Sequence, residues 1–456
     1  MHRRRTTTSI AQLTPTASPC GQQCSNRTQH VPFTTLRDRY DMNTQKSRRA
    51  GTTRSLLAIG TIAVLALSAC AAGGDSGDDA DEIVIGMALS QSGNMAPFDV
   101  EPGNAALLKI DEINAAGGIN GMQVRAIVKD VRSDQATVGT VATELISAGI
   151  DLLVTPCDFD LSAQGALNAQ AAEVPAVSIC AGDPKMADTT TLGDFVFSAN
   201  AGSDVEGSTG ASWAYEQGWA SAYLLQDESI EYTKSAGRYF QAKLEELGGA
   251  VVGNDSFPGG DNVDVSSQIS RLKSDIGNVD FIYVASWNPG AATAIRQIRD
   301  AGIDTPIVGP AALDGQLLLD IVGDVEDVYY TPFACYEYCS GQDSADLDAF
   351  VTNYTAKFDA PPSTSYALLG YNMMTALAAS LESADSLDGP VLRDAMENSS
   401  AVETPIGPVT YFSATCHKIT DMPLSVVKVS GGSVTFVEQH SIDGIPDLGD
   451  GNSCAA

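Results

Sequence analysis

Two carboxylates in this chain stand where α/β proteins usually do their chemistry, just beyond short apolar runs. Asp158 follows "IDLLVTP" (150–156) and Asp183 follows "VPAVSI" (174–179), each within three residues of a cysteine, Cys157 or Cys180. A pair of carboxylic acids facing one bond can work as a hydrolase, one as acid and the other as base or nucleophile. The rest of a catalytic apparatus is missing from the sequence. It contains no G-x-S-x-G elbow, no H-E-x-x-H and no G-x-x-x-x-G-K-[ST], and beyond residue 70 only His417 and His440 remain as bases. The chain is therefore read as a non-enzyme, with a cell-surface hydrolase built on Asp158 and Asp183 as the competing reading. Both acids also have an architectural use. Asp183 precedes Pro184 as an N-cap precedes N1, and Asp158 or Asp160 suits the cap of a helix running from Ser162.

Six cysteines lie beyond Cys70: Cys157, Cys180, Cys335, Cys339, Cys416 and Cys454. An even number in an exported chain points to three disulfides, for which six cysteines allow 15 connectivities. The preferred set is Cys157–Cys180, Cys335–Cys339 and Cys416–Cys454. No CxxC pair is present, "GGDNVDVSS" lacks calcium-loop spacing, and neither a metal nor a cofactor is expected.

Export is read from the start of the chain. Lys46, Arg48, Arg49 and Arg54 precede an apolar stretch from Leu56 to Leu67. That is a charged n-region and an h-region of signal-peptide length, too short for the ~20 residues of a permanent span. Its close, Leu67-Ser68-Ala69-Cys70, resembles the bacterial lipobox, so Cys70 is the expected lipidation site and mature N-terminus. Two acyl chains would hold the protein stably on the outer face of the cytoplasmic membrane. Residues 1–69 are then leader and signal, with Met42 the expected true start and Cys20 and Cys24 outside the fold; residues 70–82 are an acidic tether.

Beyond the signal the chain carries 16 basic against 55 acidic residues, a net charge of −39. Nucleic acid is excluded as a partner, because binding it requires Lys and Arg to neutralise phosphate.

The elements that must position these residues alternate. Expected strands are 83–89, 124–130, 150–156, 174–179, 221–227, 280–286 and 305–310. Between them lie helical stretches that end on glycine, such as "VATELISAG" and "TAIRQIRDAG". Apolar strands separated by helices indicate parallel sheets covered on both faces. The unit helix, Gly-Gly, strand occurs twice, at 107–130 and 239–257, which implies two similar α/β lobes with a linker near 197–204. Helices are expected at 346–358 and 365–385, followed by β-like "GPVTYF" and "LSVVKVSGGSVTFV".

Four ordered stretches now carry a resemblance. "IVIGMALSQSGNMAPF…GNAALLKIDEINAAGGINGMQV", "DNVDVSSQISRLKSDIGNVDFIYVASW", "AIRQIRDAGIDTPIVGP" and "SYALLGYNMMTAL" are similar to successive parts of the type I periplasmic binding proteins of the leucine/isoleucine/valine-binding kind. These are receptors of ABC importers, and the likeness runs over about 82–440. It implies an α/β fold of two Rossmann-like lobes with parallel sheets, joined by a three-crossover hinge. Lobe 1 would comprise 83–201 plus 332–423, lobe 2 would comprise 202–331 plus 424–445, and 446–456 would form a tail. The implied partners are a small polar solute (an amino acid, amine or amide), ABC permease subunits, and the membrane through the lipid. A sensor docking on a membrane signalling protein would use the same clamp.

The resemblance also implies a site. The loop 92–98 contributes Ser92 and puts Phe98 where the family commonly has a stacking aromatic. "TPCDFDLSAQG" places Asp158 and Phe159 where amino-acid binders often have a hydroxyl for the substrate carboxylate, and Asp183 takes the place of a Thr or Ser. Lobe 2 would add Tyr232 and Trp287, and the acid that usually grips an ammonium after "VGP" is replaced by Ala311, with Asp314 nearby. These departures have a physical consequence. Like charges 4 Å apart repel by ~4 kcal/mol at an effective dielectric of ~20. A helix N-terminus offsets only ~0.3–2 kcal/mol of that. Carboxylates among Phe98, Tyr232 and Trp287 suit an amine or a donor-rich amide, and the expected solute is not a plain aliphatic amino acid held in the usual way.

Overall fold

The computed structural model describes residues 82–260, 262–419, 421–449 and 452–454. Met42, Cys70, Cys20, Cys24 and the tether before residue 82 lie outside them. The run "IVIGMAL" forms β1 (Ile83–Leu89), whose side chains are buried on both faces, as a central parallel strand requires. It pairs in parallel with β2 (Val124–Asp130) and β3 (Leu152–Thr155), and β4 (Ala176–Ser178) and β5 (Val196–Ser198) complete a sheet of order β2-β1-β3-β4-β5. Its intervening helices are α1 (Ala96–Ala115), α2 (Gln135–Ser147), α3 (Phe159–Ala171) and the short α4 (Thr189–Leu192).

The second sheet is built the same way. Parallel strands β6 (Ser221–Asp227), β7 (Ala250–Phe257), β8 (Phe281–Ala285), β9 (Ile307–Gly309) and β10 (Val328–Tyr330) alternate with α5 (Ser203–Glu216), α6 (Glu231–Glu246), α7 (Ser266–Asp275), α8 (Gly290–Asp300) and α9 (Gln316–Val322), α5 preceding β6. Its order is β11-β15-β14-β10-β9-β8-β6-β7, where β11 is Cys339–Ser340, β14 Leu424–Ser430 and β15 Ser433–His440. Strand β14 pairs antiparallel with both β10 and β15. The edge strand β7 alternates exposed and half-buried side chains, because only one of its faces is covered.

Between β11 and β14 the chain returns to the first lobe as α10 (Ala345–Phe358), α11 (Tyr366–Ser383), α12 (Gly389–Glu397) and the hairpin β12 (Val402–Thr404) and β13 (Gly407–Val409). Helix α11 lies against α1 so closely that a Cβ on Gly370 would come 1.9 Å from the Pro102 carbonyl oxygen. The passages after β5, after β11 and before β14 make three connections between the lobes. One detail differs from the expected segment 332–423: Cys339 and Ser340 pair with β15 in the second sheet. The Cys335–Cys339 bridge folds that stretch into a tight loop against the sheet edge.

The expected strands coincide with β1, β2, β3, β4, β6, β8 and β9 to within two residues at either end. Strands β5 and β10 were not among the expected ones, although β4 and β9, also three residues long, were. The glycine stop of "TAIRQIRDAG" is a left-handed residue, Gly302 at φ +74°, which ends α8 at little steric cost. The structure forms all three preferred disulfides, with Cα separations of 4.4, 5.2 and 5.0 Å. Among the described residues no helix is long and apolar enough to cross a membrane.

Candidate ligand cleft

Parallel strands aim their carboxyl ends at one side of each sheet, and both lobes turn that side toward a shared cleft. From β1 the chain enters α1, whose first turn carries Phe98 and the buried Asp99. Asp99 accepts the Ser90 N–H and the Cys157 N–H, both at 2.7 Å, and so ties the loop after β1 to the loop after β3. Burial raises its pKa to about 6. Ser178, at the end of β4, donates its hydroxyl to the Pro156 carbonyl at 2.7 Å and accepts the Ala181 N–H at 2.8 Å. The Cys157–Cys180 bridge joins the same two loops covalently. The wall of the first lobe is thus fixed by three independent links.

Asp158 caps α3, its Oδ1 accepting the Leu161 N–H at 2.9 Å. It is also 4% exposed and lines the cavity between the lobes. The same residue therefore caps a helix and lines the cavity. Burial, then the charges of Asp160, Asp99 and Asp183, push its pKa up to about 7. Asp183 caps the turn Pro184–Met186 through the Lys185 N–H at 2.9 Å, and its buried Oδ2 has no hydrogen-bond partner among the described residues. Burial raises it to about 6.

Four rings from both lobes surround the cavity: Phe98 and Tyr366 from the first, Tyr232 and Trp287 from the second. Phe98 stands 5.9 Å from Trp287 and edge-on to Tyr366 at 5.3 Å. The Trp287 indole N–H donates to Ser229 at 3.1 Å, and the Tyr232 hydroxyl donates to Glu206. The lobes close so tightly here that ≈ 20 Å³ remains, room for one water. At the rim, Lys185 of the first lobe meets Glu231 of the second at 2.5 Å, and Asp160 accepts the Glu231 N–H at 2.9 Å. Lys185 and Lys234 hold Glu231 down to about 2.

Four of the expected site residues do not line this cavity: Asp183, which caps the turn Pro184–Met186, and Ser92, Phe159 and Asp314. Ser92 is exposed, its hydroxyl donating to Asp130 at 2.8 Å. Phe159 packs beside the cleft with the Lys185 ammonium 5.7 Å from its ring centre. Asp314 is buried at the base of α11, accepting the Ser365 N–H and hydroxyl at 2.6 Å and the Tyr338 hydroxyl.

Two residues went unread in the sequence. Tyr366 begins α11 inside a stretch that had been matched only as a helix. Glu206, in the first turn of α5, is fully buried and accepts the Ala311 N–H at 2.9 Å. A carboxylate thus stands beside Ala311, the position where the resemblance finds an acid missing, but it comes from another element. Burial lifts its pKa to about 8. The only available signal was its being acidic at a helix start, a common capping trait.

A larger hollow of ≈ 510 Å³ lies at the opposite end of the second lobe, between the ends of α8 and α9. Its Arg299 donates to the carbonyls of Ile303, Thr305, Glu326 and Asp327, and no strand ends on it by its carboxyl terminus. The smaller cavity is the better candidate because side chains from both lobes converge there. Among the described residues no group of three or more His, Cys, Asp or Glu side chains is placed to hold a metal ion.

Trp287→Ala is expected to weaken binding of a cognate solute by more than ~1 kcal/mol, roughly fivefold. Isothermal titration reads this directly, and an unchanged dissociation constant removes Trp287 from the site.

Residues 82–433 match the family described as periplasmic binding protein. The chain is 24% identical over 330 residues to the leucine-, isoleucine-, valine-, threonine- and alanine-binding protein of Pseudomonas aeruginosa, covering 72% of this chain and 85% of the relative. It is 24% identical to the Leu/Ile/Val-binding protein of Escherichia coli, over 73% of this chain and 87% of that one. Its fold is shared with the branched-chain amino acid transporter substrate binding protein of Streptococcus pneumoniae in complex with isoleucine, at a TM-score of 0.68 and 24% identity, covering 79% of this chain and 100% of that one. A solute binding protein of R. palustris in complex with benzoate follows at a TM-score of 0.63 and 20% identity, covering 81% of this chain and 100% of that one. Two lobes meeting over strand carboxyl ends, and a family match across most of the sequence, place this chain among the type I periplasmic binding proteins of the leucine/isoleucine/valine-binding family.

Proposed function

We propose that this chain is the solute receptor of an ABC-type importer, held on the outer face of the cytoplasmic membrane by lipid on Cys70. It captures a small polar solute, of the branched-chain-amino-acid type or a related amine or amide, by closing its lobes. Its family is one of exported solute-binding proteins, not enzymes. The observation that carries the reading is the meeting of Phe98 and Asp158 from one lobe with Tyr232 and Trp287 from the other around a single cavity. A solute that touches both lobes adds to the contacts of the closed state alone, and that differential affinity drives closure. The closed shape is then what a permease recognises. The anchor is supported by Leu67-Ser68-Ala69-Cys70 behind a short apolar run.

A thermal-shift screen of amino acids, amides, urea and polyamines tests the reading. A solute at a hundred times its dissociation constant adds ~2.7 kcal/mol. That corresponds to a rise of roughly 3–4 °C for a chain of this size. Release of hydrolysed product during the same incubations supports a hydrolase instead.

A further inference from the structure

The receptor reading leaves the charge of the solute open, and the cleft itself addresses it. None of the side chains lining the cavity is Lys, Arg or His. The ionisable group there with an ordinary acidic function is Asp158, and the charges acting on it, from Asp160, Asp99 and Asp183, share its sign. Lys185, at the rim, is engaged by Glu231 at 2.5 Å.

An anion entering such a cleft would need backbone donors, and a helix N-terminus normally offers them. At α3 one of those donors, the Leu161 N–H, is already held by Oδ1 of Asp158 itself. The cavity therefore presents a carboxylate where a carboxylate ligand would need a donor. Around it stand the rings of Phe98, Tyr366, Tyr232 and Trp287, with Phe98 and Trp287 5.9 Å apart on opposite lobes. Aromatic rings on several sides with one buried acid attract an organic ammonium ion and repel an anion.

Resting on the receptor reading, we propose that the solute is an organic ammonium ion lacking a free carboxylate, paired with Asp158 and enclosed by the four rings. The site then discriminates against α-amino acids: the ammonium of leucine would be welcome, but its carboxylate would meet Asp158 with no opposing charge. An amine without that group avoids the conflict.

The test uses the exported chain and pairs of probes that differ only by a carboxylate: 3-methylbutylammonium against leucine, and 1,4-diaminobutane against ornithine. The isosteres 3-methylbutanamide and 3-methylbutanoate control for charge. Calorimetric titration is expected to show the decarboxylated member of at least one pair binding at least tenfold tighter, with the butanoate not binding. Asp158→Asn keeps an N-cap, and its melting curve reports whether it folds. It is expected to weaken amine binding at least tenfold without weakening leucine. Tighter binding of leucine, ornithine, the amide or the butanoate overturns the ammonium inference and leaves the receptor reading standing. Amine affinity unchanged in Asp158→Asn also overturns it. Silence from every probe here and in the thermal-shift screen overturns the receptor reading, and this inference with it.

Discussion

Thermal unfolding of the exported chain is expected to shift to higher temperature as the pH is lowered from about 8.5 to about 5.5, by at least ~2 kcal/mol of stability. The cause is a set of carboxyls buried around and behind the cleft. Burial raises Asp99, Asp183 and Asp314 to about 6, Asp158 to about 7 and Glu206 to about 8. In the unfolded chain such groups titrate near ~4. Above that pH the unfolded state has lost protons that the folded state retains, so stability falls as pH rises through the folded values. For Asp158 alone, the span from pH ~5.5 to ~7 corresponds to ~2 kcal/mol, and the coupled groups add to it less than additively. Carboxylates held low, such as Glu231 at about 2, work in the other direction. Their contribution is complete above their unfolded pKa and is lost only below ~4.5, outside this window. Calorimetric melting at fixed ionic strength reads the result. A flat profile would mean that these five groups are ionised in the folded protein.

The second large effect concerns the bridge in the cleft wall. The double substitution Cys157→Ser and Cys180→Ser is expected to cost ~3 kcal/mol of stability, the usual loss for a bridge closing a loop of this length. The sequence separation is 23, against 4 for Cys335–Cys339, whose loop is too short to constrain much of the unfolded chain. A second effect should accompany it. Cys157 precedes Asp158 and donates its own N–H to the Asp99 carboxylate, so freeing the loop also loosens a residue that lines the cavity. Solute affinity should fall about tenfold, some ~1.4 kcal/mol, because the open variant must order that wall on binding. Denaturation and titration on the same preparation separate the two effects. A lowered melting temperature with unchanged affinity would make the bridge a structural staple alone.

Much of the architecture was legible because it follows from neighbours along the chain. "IVIGMAL" is a strand because seven consecutive residues suit a backbone covered on both faces, and Asp-Pro at 183–184 caps a turn for reasons contained in four residues. The alternation of strand and helix, repeated twice, implied parallel sheets and two lobes, as found. Short β5 and β10, each paired with a neighbouring strand, were missed.

The site divides along the same line. Position at a strand end singled out Asp158, and the family resemblance added Phe98, Tyr232 and Trp287, all four of which line the cavity. Which of the candidates converge was decided by contacts spanning many residues. Tyr366 reaches the cavity from 268 residues beyond Phe98, Glu206 reaches Ala311 across 105, and Asp314 turns away from the cleft to hold Ser365. A carboxylate's role depends on what surrounds it in space, since desolvation and opposing charge set both its protonation and its partners. The order of residues determined the strands, the turns and the acids available at their ends; only the packing of two lobes determined which acid lines the cavity between them.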